Sequence, residues 1–273
     1  GGYFIQANNT VTNNGTINGG GSTFKMYGAT LINNDTISST YFEFDSITSV
    51  SGPGVITSAN ITVGSSGNVS LASNSIFSPL TGMTVNSGGI LNPNTRTLTF
   101  NSGTFTAISG STVTASGTFQ TQSNVNLIIK NGSNFSGSLK VNTGTASSYD
   151  TGFPFNAVFN GTITIDAGAV LNVLGGGYNS QANNNITNNG SITGAGSTFF
   201  MRGASLLNNG SISPNTLQFD TVTSLSGTGS YTGNNIIVGS SGRLSISNDV
   251  TFSPVTGFTV LTNGIFIPGT KTF

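Results

Sequence analysis

Apolar and polar residues alternate along most of this chain. Between the glycines, Ile, Val, Leu and Phe are interleaved with Thr and Ser in short runs such as Thr104–Ile108 (TFTAI), Ser111–Ala115 (STVTA) and Thr118–Gln122 (TFQTQ). A period of two is the mark of a half-buried strand. No apolar stripe at i, i+3, i+4 competes with it, and Gly, Asn, Ser and Thr are poor helix formers. The pattern predicts many short strands. Gly and Asn mark the corners between them, because they tolerate positive φ at low steric cost.

The strands recur on three scales. Ser102-Gly103, Ser109-Gly110 and Ser116-Gly117 return every seven residues (109 − 102, 116 − 109). Val11–Ile17 (VTNNGTI) returns as Leu31–Ile37 (LINNDTI), 20 residues on (31 − 11). Residues 1–98 align without a gap on residues 176–273, at a constant offset of 175 (176 − 1), with roughly half the positions identical. Fixed-period self-similarity is the signature of repeat architecture.

Side, coil and module are the natural reading of these periods. Three sides of seven close one coil of about 20 residues, and stacked coils pair as parallel strands with the right-handed crossover that proteins favour. The expected fold is therefore all-β: a right-handed parallel β-helix, or β-solenoid, with three short strands per coil. We divide it into a first module copy over residues 1–98, a continuation over 99–175 and a second copy over 176–273, all in one continuous solenoid. At about 4.8 Å per coil, roughly 13 or 14 coils would make a rod about 65 Å long. The register predicts Val11 over Leu31, Ile17 over Ile37, and Asn13-Asn14 over Asn33-Asn34. Ile17, Ile37, Val63, Val69, Leu71, Val85, Ile90 and Leu91 are expected to point inward. So are their copies Ile192, Ile212, Val238, Leu244, Ile246, Val260, Ile265 and Phe266. Stacked side-chain amides can bond from coil to coil, so a structural Asn ladder is expected at Asn13, Asn14, Asn33, Asn34, Asn188, Asn189, Asn208 and Asn209.

Composition narrows the function. Charged residues are 5% of the chain, with seven bases and seven acids, and there is no His, Cys or Trp. A neutral chain has no electrostatic hold on phosphate, so nucleic acid is not an expected partner. No apolar run reaches the 18 or so residues of a membrane helix, so membrane insertion is not expected. Disulfides and thiol chemistry are excluded. The chain opens on a repeat start and stops inside a strand-like run, so it reads as a window on something longer. Its ends are expected to meet further coils or another copy, because open solenoid ends expose unpaired backbone.

The runs NNGTI, NNGSI, GSSGNVSL, GSSGRLSI and NSGGIL resemble the β-helical shafts of large secreted bacterial surface proteins, filamentous-haemagglutinin-like adhesins and autotransporter passengers among them. The resemblance implies a structural spacer or adhesive fibre, extracellular or on the bacterial cell surface. Asp35-Thr36-Ile37, Asp45-Ser46-Ile47 and Asp220-Thr221-Val222 look like the O-glycosylation motif of exported Bacteroidetes proteins, which makes Thr36, Ser46 and Thr221 candidate acceptors. A turn Asp before a Thr/Ile-rich strand gives the same pattern without any modification.

Catalysis would need clustered charge. The candidate carboxylate groupings are Glu43 with Asp45, and Asp150 with Asp166. A carbohydrate-active lyase or glycoside hydrolase is the alternative they define. The two copies speak against a repeated site. Lys25 becomes Phe200, Asp35 becomes Gly210 and Glu43 becomes Gln218, and only Asp45/Asp220 and Arg96/Lys271 keep their sign. For Asp45 and Asp220 we expect a corner carboxylate accepting backbone N–H bonds. A calcium ligand is the sharper alternative, but the aspartate-bearing nonapeptide of calcium-binding solenoids is absent. An ice-binding face of stacked Thr-X-Thr is a further alternative. However, Thr97-Leu-Thr99, Thr104-Phe-Thr106 and Thr112-Val-Thr114 fall seven or eight apart, on successive sides of one coil. The expected function is a non-catalytic segment of a surface fibre or adhesin. No cofactor is expected. Its partner is itself, in adjacent coils or copies, with surface carbohydrate contact through Tyr3, Tyr27, Tyr41 or Tyr178 as an addition.

Overall fold

The computed structural model describes residues 3–28, 30–114, 116–130, 132–149, 156–174 and 179–270. The chain divides into two compact units, Gly1–Ser138 and Leu139–Phe273. Each is an all-β parallel solenoid with three strand ladders.

In the first unit, face A stacks Phe4–Ala7, Thr23–Met26, Tyr41–Phe44, Asn60–Val63, Gly82–Val85, Gly103–Ala107 and Val125–Ile129. Face B begins with Val11–Asn13, Thr30–Asn33, Ile47–Ser51, Asn68–Leu71 and Ile90–Asn92. Face C runs from Ile17–Asn18 and Thr36–Ser38 through Val55–Ile56, Ser75–Phe77 and Thr97–Phe100 to Thr118–Thr121. Every pairing is parallel. Coil length varies from 18 to 22 residues on face A (41 − 23, 82 − 60). The strand registers stay intact, so the differences are taken up in the corners. Val11 pairs with Leu31, Ile17 with Ile37 and Asn13 with Asn33, as the 20-residue spacing predicts.

The second unit is built the same way, and its faces are named here by equivalence with the first copy. Face A includes Asn179–Ala182, Asn235–Val238 and Gly257–Val260. Two of its strands are continuous with their neighbours around a corner. Ser191–Met201 and Ser211–Phe219 each cover what are two separate strands in the first copy, and their mutual register shifts between Gly194 and Thr198.

Alternation decides what is buried. The row Phe24, Phe42, Ile61, Met83, Phe105, Leu127 points inward and is fully or nearly fully buried. So does the row Met26, Phe44, Val63, Val85, Ala107, Ile129. Phenylalanine dominates the largest buried side chains, each contributing about 2–3 kcal/mol through area removed from water. Phe24 stacks on Phe42 at 5.1 Å between centroids, and Phe105 tilts onto Phe119 at 4.5 Å. Most of the predicted inward residues lie in this core. Ile17 and Phe266 are only half-buried, and Ile90 and Ile265 face the other way. Each of the latter two precedes an inward residue, Leu91 and Phe266, and neighbours on a strand face opposite ways. Ile90 is half-buried and Ile265 is 45% exposed. Val260 is 42% exposed, whereas its first-copy equivalent Val85 is 0% exposed. Among the described residues no helix is long and apolar enough to cross a membrane.

Candidate functional site

The polar groups that recur in both copies sit at corners and tie coil to coil. Asn13 Nδ2 donates to Asn33 Oδ1 at 2.7 Å, and Asn188 Nδ2 to Asn208 Oδ1 at 2.7 Å; all four amides are buried. An outer row repeats the contact in the exposed register. Asn34 Nδ2 donates to Asn14 Oδ1 at 2.8 Å and Asn209 Nδ2 to Asn189 Oδ1 at 2.9 Å. The inner amides also hold the backbone. Asn13 and Asn188 donate to the carbonyls of Thr36 and Ser211, and Asn13 Oδ1 accepts from the N–H of Gly15 two residues on. The inner row stops after two residues in each copy, because the next position is glycine. Gly52 and Gly227 adopt φ of +92° and +95°, and a Cβ there would lie 2.1 Å from the carbonyl oxygen of Asn33 or Asn208. Only glycine lets the chain turn this close to the ladder.

Two further repeated hydroxyls carry no sequence signal beyond an ordinary strand threonine. Thr48 Oγ1 donates to the Gly28 carbonyl at 3.0 Å and Thr223 Oγ1 to the Gly203 carbonyl at 2.9 Å. Both threonines are 0% exposed. In a buried site such a bond avoids the cost of an unsatisfied polar group.

The acids form ion pairs between adjacent coils. Lys25 Nζ lies 2.6 Å from Glu43 Oε2 and 3.2 Å from Asp45 Oδ2. The partners of Asp45 are thus side chains, with the Tyr27 hydroxyl among them, and not the backbone N–H groups expected of a corner carboxylate. In the second copy Lys25 is replaced by Phe200, yet Asp220 keeps a cation. Arg202, equivalent to Tyr27, reaches Asp220 Oδ2 at 3.3 Å, and Gln218 Nε2 donates to Oδ1 at 2.7 Å. The pairing survives because the base moves two residues on, to the position just past the end of Ser191–Met201, and still reaches the same aspartate. Below each aspartate lies a glycine, Gly64 or Gly239, whose Cβ would sit 2.2 or 2.3 Å from Oδ1.

Burial pushes the Asp45 carboxyl up, but hydrogen bonds from Lys25 and Tyr27 outweigh it and hold the group below the ordinary carboxylate range. The glutamate hydrogen bond, opposed by burial, holds the Lys25 ammonium above its usual value. A depressed carboxylate contributes stability above its unfolded pKa and loses it as pH falls through the folded one. Asp45→Asn is therefore expected to cost about 1 kcal/mol at pH 7, a shift of ~2 °C in the unfolding midpoint. The difference from wild type should close as the pH drops below 4 or so. Thermal unfolding at stepped pH reads this directly.

Glu43 and Asp45 share one lysine, and the depressed Asp45 is a poor proton donor. Asp166 bonds to Lys140 at 3.1 Å, while Asp150 lies outside the described residues. Asp35 Oδ1 accepts the Thr36 N–H at 2.7 Å. Among the described residues no three metal-ligating side chains converge. The candidate acceptors differ in access. Thr36 and Ser46 are half-buried, whereas the Thr221 hydroxyl oxygen is enclosed, out of reach of a transferase in this conformation. Tyr3 is 81% and Tyr41 52% exposed, and Tyr178 lies outside the described residues. The Thr-X-Thr pairs at Thr97, Thr104 and Thr112 fall on faces C, A and B in turn. A shallow groove of about 400 Å³ runs along one corner of the second unit past Thr193, Gly194, Pro214, Asn215, Gly233 and Asn234. It offers amides and hydroxyls but no charge. Compared with models of known families, with curated proteins and with solved structures, the chain matches none.

Proposed function

We propose that this chain is a non-catalytic, load-bearing spacer within an extracellular bacterial surface fibre or adhesin. The observation that carries the reading is what the two copies share. Both keep the amide ladder, the crowded corner glycines, the buried threonine hydroxyls and a cation on the corner aspartate. Each of these joins one coil to the next. A repeated active site would instead preserve a cluster of groups facing solvent. Here most charges change between copies, while the corner aspartate keeps a cation from the adjacent coil although that cation moves from Lys25 to Arg202.

The secreted, cell-surface setting follows from the likeness of the corner motifs to bacterial shafts. Low charge suits close approach of like surfaces, since little self-repulsion opposes it. Exposed Tyr3 and Tyr41 offer rings on which a sugar can stack. The test is mechanical. Held by its two ends and stretched, the chain should resist and yield in steps of one coil or whole multiples of a coil.

A further inference from the structure

Single exposed aliphatic residues are common on protein surfaces and need no explanation. Two of them here recur. Ile47 is 68% exposed and its equivalent Val222 is 61% exposed. Leu80 is 77% exposed and its equivalent Val255 is 78% exposed. These positions stay aliphatic across copies in which Lys25, Asp35 and Glu43 all lose their charge. Solvent-facing positions under no constraint would drift to Thr, Ser or Asn, as Tyr41 does to Thr216.

The backbone presents these side chains firmly. Leu80 and Thr81 donate to the carbonyls of Ser58 and Ala59 at 3.2 and 2.8 Å. Val255 and Thr256 donate to Gly233 and Asn234 at the same 3.2 and 2.8 Å. Ile47 begins the strand Ile47–Ser51 just beyond the Asp45 ion pair, and Val222 stands in the same place beyond Asp220. Leu80 enters face A through Gly82–Val85, and Ile47 lies past the end of Tyr41–Phe44. Each copy thus frames face A between two aliphatic edges. In the first unit the outward positions of face A include a threonine row, Thr62, Thr84 and Thr106, in register.

We infer that this framed face is a lateral contact between copies of this same chain, and the inference rests on the spacer reading. The occupant must match a motif that repeats at the module spacing, and a second copy does so automatically. The surface is also electrically suited to meeting itself, because the acids beside Ile47 and Val222 are already paired with Lys25 and Arg202. Two aliphatic side chains per module fall well short of the 1,200 Å² or so that a stable interface buries. One module therefore binds weakly, and strength comes from many modules engaged in parallel.

The chain has no cysteine, so introduced thiols are unique. In sedimentation velocity, wild type should show a weight-average coefficient that rises with concentration. A variant carrying Ile47→Asn, Leu80→Asn, Val222→Asn and Val255→Asn should remain monomeric with unchanged circular dichroism. Under mild oxidation, Leu80→Cys and Ile47→Cys should form dimers several-fold faster than Thr95→Cys, at an exposed corner elsewhere; this reading holds even if the quadruple variant folds poorly. Equal cross-linking at all three sites, or undiminished association of the folded quadruple variant, overturns the inference. Chains that stay monomeric at every concentration but yield coil by coil under force overturn it while leaving the spacer reading intact. Chains that stretch without resistance remove both.

Discussion

Phe105→Ala is expected to destabilise the first unit by about 4 kcal/mol, near the upper part of the range for emptying a buried aromatic site. Phe105 is 0% exposed and meets Phe100, Phe119 and Phe135 at centroid distances of 5.9, 4.5 and 6.3 Å. Its neighbours are fixed by parallel pairing above and below, through Met83 and Leu127, so the cavity cannot collapse by a local shift. Phe105→Leu keeps most of the volume and should cost about 1.5 kcal/mol. Coils in a solenoid contact only their neighbours, so the loss is local. Hydrogen exchange should accelerate first in Gly82–Val85, Gly103–Ala107 and Val125–Ile129. Denaturant unfolding gives the total, and exchange gives its location.

A corner glycine should matter nearly as much as a buried phenylalanine. Gly52→Ala and Gly227→Ala are each expected to cost about 3 kcal/mol. A left-handed backbone costs an L-residue roughly 1–2 kcal/mol. The remainder comes from moving a coil whose carbonyl stands 2.1 Å from the new Cβ. That carbonyl belongs to Asn33 or Asn208, so the shift also disturbs the buried amide pair. Gly15→Ala is the control. It has nothing within 4 Å of its Cβ position and should change stability by no more than ~0.5 kcal/mol. Thermal unfolding of the three variants side by side separates a crowded, left-handed glycine from one that merely occupies a turn.

These two effects show what the residues disclosed in advance and what they hid. Strand positions, coil spacing and the Asn13–Asn33 register followed from alternation and self-similarity, because both are local properties of the chain. Ile90 and Ile265 were misplaced because two adjacent apolar residues, Ile90-Leu91 and Ile265-Phe266, leave the inward phase undecided until the neighbouring coils fix it. The corner ion pairs escaped for a different reason. Aligning the copies residue by residue sets Lys25 against Phe200 and registers a lost charge. In space the cation has moved to Arg202 and still serves Asp220. A pairing kept by a shift of two residues, past the end of a strand, is invisible to alignment and plain in three dimensions. Thr48 and Thr223 were hidden because a strand threonine reads the same whether its hydroxyl meets water or a carbonyl of the previous coil. The crowding of Gly64 by Asp45 likewise depends on which residues the coils bring together.

Coils that act as mechanical units must yield one by one or in whole groups, and stretching a single molecule by its termini reads this most directly. A coil of 18 to 22 residues on face A of the first unit releases about 60–80 Å of contour at ~3.5 Å per residue. The expected force trace shows repeated rips of that size or whole multiples of it. In Gly52→Ala the force should drop at the step that contains the altered corner. Smooth extension without rips, or rips bearing no relation to coil length, would contradict coils as mechanical units.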